Sequence, residues 1–427
     1  MGVPAVGDTD AMANPQTDPS TPGENGGTPL REPLSDFLDS RAKTIDEVEA
    51  ADGTETRRSG NYVSALERVV PDWIEWADRR GISTLEELDS RHLARYAEHL
   101  NRRVNAHRAD DNEGITAATA WNYYSLVSAY LYYCQQWEYL SENPADTERA
   151  KAEMPDRPKT DSGRQQFWST EQRETLIRHI EDRAYAAVDT DPGSREALTA
   201  ARDRALVYVI GFSGVRGAEV LASSRDDRRT GLTWDGVDTE QEVLTVLGKS
   251  QQVEKAPLTD RPVTALDRWR SLLDPPSEEW PVFPSFHLAS LRSAAADQLR
   301  DRDVDDETIE TVTGYKTAGL IDAYRDRDLT PPALTTEGGR YALKKLSEVA
   351  GVDCSDDPKD YLTLHGARRG AGEAYYDAAG AEAAQRALRH ADPETTSKMY
   401  AHKEASDLSD VGSEVFDTDI DTDENDS

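Results

Sequence analysis

Residues 363–402 read TLHGARRGAGEAYYDAAGAEAAQRALRHADPETTSKMYAH, and the polar side chains along this stretch decide how the rest of the chain is read. His365 and Arg368 form an H-x-x-R pair, His390 stands in Leu-Arg-His, and Tyr400 follows ten residues later behind Thr395-Thr396. A hydroxyl can attack a phosphodiester without metal-activated water if cations hold the non-bridging oxygens while the new bond forms. The stretch offers the Tyr400 phenol, one guanidinium and two imidazoles, which is half of such a site. Taken singly, each residue has an ordinary explanation. An H-x-x-R is often a surface pair, a tyrosine near a helix end is usually core, and a lone histidine caps a helix or faces water. His402 follows His390 by twelve residues with no cysteine partner, which is not metal-ligand spacing.

Two upstream segments supply what the first lacks. GFSGVRGAEVL, residues 211–221, sets Arg216 after a Gly-Val turn with Glu219 three residues on, within one helical turn. Standing alone, that is an exposed ion pair contributing about 0.3 kcal/mol. LTVLGKSQQVEKAPLT, residues 244–259, alternates apolar and polar residues and predicts a hairpin turning near Gly248, Lys249 and Ser250. Its lysines, Lys249 and Lys255, are otherwise solvated turn and strand residues.

The order and spacing of these elements resemble the tyrosine recombinases, or phage-type integrases, of the Xer type. The resemblance covers roughly residues 34–404. It implies that Tyr400 is the nucleophile and forms a 3′-phosphotyrosyl link. Arg216 and Arg368 would clamp the phosphate, with Glu219 buttressing Arg216. Ala218 stands where the family more often has serine. His365 would take the tyrosine proton and His390 would hydrogen-bond a phosphoryl oxygen. Lys249 occupies the place of the hairpin lysine that protonates the departing 5′ oxygen. The usual G-K-G-x-K-x-R-x-x-P-L element is kept only in part, which leaves Lys255 as the alternative acid. The resemblance implies neither metal nor nucleotide cofactor, double-stranded DNA as substrate, and a homotetramer on paired sites. A type IB-like topoisomerase and a catalytically inactive DNA-binding accessory protein remain as alternatives.

Composition bounds the setting. There are 82 Asp and Glu against 49 Lys and Arg, a formal net charge of −33, and among the basic residues 11 Lys against 38 Arg. A uniformly acidic, lysine-poor surface suits molar salt, where a Debye length of about 3 Å screens self-repulsion. It points to a halophilic archaeon. Acidity argues against nucleic acid unless a local basic site survives. Two cysteines, Cys134 and Cys354, give no disulfide framework. With neither a signal peptide nor an apolar run long enough to span a bilayer, the expected location is cytoplasmic and nucleoid-associated.

Along the chain, residues 1–32 read as a disordered tail rich in Pro, Gly, Thr and Asp. Helical periodicity over 33–147 predicts a helical core-binding (SAM-like) DNA-clamp domain. Its third helix is expected to open after Ser83-Thr84, and its last to run from Thr116 to the Ser141–Pro144 stop. The aromatic run Trp121, Tyr123, Tyr124, Tyr130, Tyr132, Tyr133 and Trp137 has helical spacing and reads as core, not as a base-stacking platform. A linker is expected over 148–168, then a catalytic domain over 169–404 with extra helical sequence at about 287–333. An acidic tail, 405–427, closes the chain, and in it only Leu408–Phe416 has the apolar residues to dock on a neighbour. The fold expected is mainly α with a small antiparallel β-sheet.

Overall fold

The computed structural model describes residues 27–41, 60–110, 113–157, 165–226, 228–249, 252–390, 392, 394–397 and 399–400. His402, the tail from 405 and the Leu408–Phe416 segment lie outside the described residues, as do residues 1–26. Two compact units carry the rest, one with residues 27–41 and 62–157 and the other with 165–400. Among the described residues no helix is long and apolar enough to cross a membrane.

The first unit is helical. It holds α1 (Leu34–Arg41), α2 (Gly60–Asp78), α3 (Ser90–Ala109), α4 (Ala117–Gln136) and the single turn α5 (Glu148–Lys151). Helix α3 opens at Asp89, whose carboxylate accepts from the backbone N–H of Arg91 and His92, and not after Thr84. The Glu87 carboxylate captures the Ser83 and Thr84 amides at 2.9 and 3.1 Å, which folds that segment into a separate turn. Helix α4 is capped by Thr116 as expected but ends at Gln136, because Glu138 turns the backbone left-handed with φ 61° well before Pro144. The aromatic run is core only in part. Tyr124, Tyr130 and Tyr133 are buried, whereas Tyr132 and Trp137 are exposed.

Both expected boundaries shift. Leu30 is buried, its carbonyl accepts from the Tyr130 hydroxyl at 2.5 Å and its amide donates to Ser83, so the tail gives way to packed chain before residue 32. At the other end, Ala150 and Met154 are buried in the first unit, and Trp121 donates to the Pro155 carbonyl. Trp168 is already core of the second unit. Ala150, Met154 and Trp168 thus belong to packed units although they fall within the span expected as linker, of which residues 158–164 lie outside the described residues.

The second unit contains α6 (Thr170–Thr190), α7 (Arg195–Phe212), the short α8 (Gly217–Val220), and strands β1 (Val237–Asp238), β2 (Val243–Leu247) and β3 (Val253–Pro257). Then come α9 (Asp260–Leu273), α10 (Leu288–Asp301), α11 (Asp306–Gly314), α12 (Thr317–Asp326), α13 (Thr336–Ala350) and α14 (Leu364–Leu388). The strands form one antiparallel sheet in the order β1-β2-β3, with Thr245 opposite Lys255 and Leu247 opposite Val253. This is the expected mainly helical class with a small sheet. Helix α7 is buried almost all round and forms the spine of the core.

The extra sequence at 287–333 is no loose appendage. Helices α10 to α12 bury Leu291, Leu299, Ile309, Val312, Leu320 and Ile321 in the same core as α7. Tyr324, also buried, ties α12 to α10 by donating to the Leu291 carbonyl at 2.7 Å. We predict that Leu320→Ala lowers unfolding free energy by about 2–5 kcal/mol in chemical denaturation, the range for an emptied core leucine site. A cost near zero would show that this segment packs independently of the core.

Candidate active site

Local caps and long-range hydrogen bonds together set the elements of the site. Helix α14 opens at Thr363, whose hydroxyl accepts from Gly366 N at 3.0 Å. The segment before α6 staples that opening. Gln166 accepts from Thr363 N at 2.7 Å, Trp168 Nε1 donates to the Thr363 carbonyl at 3.0 Å, and Trp168 N donates to the Gly366 carbonyl at 3.1 Å. His365 and Arg368 therefore leave the first turns of a helix that is fixed from outside. The helix breaks at Ala379 and Gly380, and its second part ends at Leu388, so that Arg389 and His390 follow in the turn.

Arg368 is 2% exposed, and its two terminal nitrogens donate to the carbonyls of Gly214 and Leu388. That single side chain joins α14, the turn before α8 and the turn before His390. Burial, then the neighbouring Arg216 charge, lowers its pKa to about 9, and it stays cationic at neutral pH.

Arg216 caps α8. Its amide donates to Glu219 Oε2 and its guanidinium to Oε1, both at 2.7 Å. The Glu219 side chain has no exposure, while that of Arg216 keeps 26%. Burial alone would raise the Glu219 carboxyl, but the Arg389 charge and the bonds from Arg216 outweigh it and hold the group below its usual range. The pair is not the exposed i, i+3 contact of its ordinary explanation, because the acid is internal and the arginine is held from beneath.

His390 Nδ1 lies 2.9 Å from the Thr396 hydroxyl. Burial first, then Arg368, Arg216, Arg389 and His365, push His390 down to about 4. His365 keeps an exposed edge, yet desolvation of the rest of its ring, followed by Arg369, Arg368 and Arg216, takes it to about 4 as well. Both imidazoles are neutral near pH 7 in a field of guanidinium groups.

Tyr400 is fully buried, its ring 5.1 Å from that of Tyr376 and 6.2 Å from that of Phe167. Its hydroxyl donates to the Arg369 carbonyl at 3.3 Å. A side chain at Gly372 would collide with that hydroxyl, so glycine is needed there. Burial and the Glu373 carboxylate raise the Tyr400 phenol well above its ordinary range, opposed by Arg368 and Arg369. The group is a neutral phenol at rest.

Arg216, Glu219, His365, Arg368, His390 and Tyr400 thus belong to one electrostatic neighbourhood. Lys249 is set apart, exposed in the β2–β3 turn, and Lys255 is exposed on β3. Two arginines missed at the sequence level bind that hairpin to the rest. Arg229 donates to the carbonyls of Ala218, Leu247 and Gly248 at 3.0, 2.8 and 2.9 Å. Arg389 pairs with Glu219 and, at 3.0 Å, with Glu254 of β3. Arg229 shows in the sequence only as a local i, i+3 partner of Asp226, at 3.5 Å, which says nothing of the Leu247 and Gly248 carbonyls that it also holds. Arg389 stands inside the Leu-Arg-His tripeptide, where its neighbour His390 is the residue with evident chemistry. Chemically, the cluster presents guanidinium groups and neutral imidazoles, which suits an oxyanion. Among the described residues no group of three or more His, Cys, Asp or Glu is placed to hold a metal ion.

The fold that carries this cluster is that of the tyrosine recombinases. Among solved structures, the chain is similar to the XerH site-specific recombinase bound to palindromic difH substrate, with TM-score 0.56 and 14% identity, over 91% of this chain and 98% of that one. It is also similar to the Tn1549 transposon integrase in complex with transposon right-end DNA, with TM-score 0.55 and 13% identity, over 90% and 100%. Tyrosine recombinase XerC of Xylella fastidiosa strain M23 is 22% identical over 242 residues, which cover 57% of this chain and 68% of the relative. No family model matches the chain.

The two histidines give a pH test. Their pKa values, lowered to about 4 from 6.5, mean that unfolding takes up protons between those limits. Stability should be flat above about pH 6.5 and fall as pH drops towards about 4. Melting temperatures measured across that range should decline less steeply in a His365→Asn/His390→Asn variant than in the wild type. Equal slopes would show that these imidazoles do not carry the effect.

Proposed function

We propose that the chain is a site-specific DNA recombinase that cleaves and rejoins duplex DNA through a 3′-phosphotyrosyl intermediate. The observation that carries this reading is the clustering of Arg216, two neutral imidazoles and Arg368, the last of which also acts on the buried Tyr400 phenol. A binding module would have no use for a nucleophile in that place.

In the proposed reaction the scissile phosphate enters between Arg216 and Arg368. Planar forks match its oxygens and neutralise the charge that builds in the transition state. Tyr400 gives up its contact with the Arg369 carbonyl, attacks phosphorus and forms the P–O bond to the 3′ fragment. The P–O5′ bond breaks, the phenol proton passes to His365, and Lys249 supplies a proton to the leaving 5′ oxygen. His390, oriented by Thr396, donates to a phosphoryl oxygen. A bound phosphate offsets the arginine share of the lowering, which comes second to burial, so both imidazoles rise somewhat from about 4 and become better bases. Rejoining reverses these steps with the 5′ hydroxyl of the partner strand, and the bond energy held in the phosphotyrosyl link removes any need for a nucleotide cofactor. Two pairs of strands are exchanged, which calls for a homotetramer on paired sites.

Tyr400→Phe should bind DNA as the wild type does and form no covalent adduct on a nicked suicide duplex. An adduct persisting in that variant would remove Tyr400 from the nucleophile's role. Wild-type adducts confined to particular sequences separate a recombinase from a supercoil-relaxing topoisomerase.

The net charge of −33 and the scarcity of lysine support a halophilic host, in which the site works at molar salt. Phosphate contacts lose affinity with a log–log slope of about −0.9 per contact, so few net ions can be released on binding. Binding measured by anisotropy should change little between about 1 M and 3 M KCl, where a site with many released ions would fail. A steep loss over that range counts against the halophilic reading.

A further inference from the structure

Arg389 occupies an unusual backbone position for an arginine. It closes α14 with φ 53° and ψ 48°, in the left-handed region that favours glycine. Its side chain, only 9% exposed, spans two carboxylates, the internal Glu219 through Nη2 and Glu254 of β3 through Nε at 3.0 Å. Glu219 is the acid that holds Arg216. Glu254 faces the hairpin turn from β3, because a Cβ at Gly248 would collide with its carboxylate. Lys249 is the next residue. The chain Arg216–Glu219–Arg389–Glu254–Gly248 is therefore continuous, and His390 follows Arg389 directly.

A β-hairpin turn that stands exposed has freedom of its own, and an acid at its tip needs placing to within a few tenths of an ångström. Arg229 fixes the hairpin's backbone from one side through the Leu247 and Gly248 carbonyls. Arg389 fixes it from the other through a side chain and links it to the phosphate-holding arginine. A surface ion pair would not do this, since both side chains would exchange with water. Here the guanidinium is enclosed and one of its acids is fully buried, which makes the link stiff.

We propose that Arg389 is a positioning residue that couples the Lys249 hairpin to the Arg216–Glu219 pair, so that the proton donor and the phosphate clamp are set as one unit. This rests on the recombinase reading given above. Arg389 touches neither substrate nor reacting atoms in this account and acts through Glu254 and Glu219.

The test uses the full chain on two suicide duplexes, one with the ordinary 5′-bridging oxygen and one with 5′-bridging sulfur, a leaving group that needs no proton. Wild type should cleave both. Lys249→Ala should slow the oxygen substrate by on the order of 10²-fold or more and run near the wild-type rate on sulfur. Arg389→Gly, in which glycine accepts the left-handed backbone, should show the same pattern, with a loss of about 10-fold to 10²-fold on oxygen and rescue on sulfur. Glu254→Ala breaks the same link from its partly exposed end and should match Arg389→Gly, which keeps the test sound if the glycine variant does not fold. Combining Arg389→Gly with Lys249→Ala should cost no more on oxygen than Lys249→Ala alone. Equal slowing of both substrates by Arg389→Gly and Glu254→Ala would overturn the proposal, as would no slowing of either. A wild type that forms no adduct would overturn the underlying reading instead, whereas a Lys249→Ala variant that sulfur does not rescue would pass the acid's role to Lys255 and overturn the coupling to Lys249.

Discussion

Glu219 carries a carboxylate with no solvent exposure, held between the guanidinium groups of Arg216 and Arg389. A buried charge is tolerated only when its partners are close and well directed, and losing one of them leaves a desolvation cost of several kcal/mol unmet. That constraint orders everything around it. It fixes Arg216 at the mouth of α8, draws the turn after α14 inward, and through Glu254 reaches the β-hairpin. Arg368, anchored to the Gly214 and Leu388 carbonyls, closes the same circuit from beneath. Guanidinium groups outnumber carboxylates in this cluster, so an acidic chain keeps a local site for an anion.

The second constraint is the fixing of α14 from outside. Gln166 and Trp168 reach almost two hundred residues along the chain to hold the helix opening at Thr363. His365 and Arg368 inherit their positions from that staple. Tyr400 sits against Gly372 of the same helix, so one element sets the cation, the imidazole and the wall of the phenol's pocket. Burial first, and then the dense positive field, keep His365 and His390 neutral, which is the form that accepts a proton or donates one neutral N–H.

Much of this could be read from the chain. The spacing of His365, Arg368, His390 and Tyr400 gave the candidate site, and alternation over 243–257 gave the hairpin with Lys249 in its turn. Helical periodicity gave most of the helices, although the starts and ends went astray where side chains captured backbone groups, as Glu87 does at Ser83 and Thr84. The sequence also left residues 287–333 without a place, because amphipathic helices do not say which core they complete. Leu320 and Ile321 show that it is the core of the second unit.

By itself, the sequence determined the residue types, their order and the local geometry, since i to i+3 spacing and turn chemistry depend only on neighbours along the chain. It could not determine that Glu219 is internal, that Arg389 joins two carboxylates 135 and 170 residues away, or that Arg229 ties the hairpin turn to the backbone of α8. Burial and long-range pairing decide a carboxylate's charge, an imidazole's pKa and a lysine's placement. Those quantities come from the packed surroundings, and only the tertiary structure supplies them.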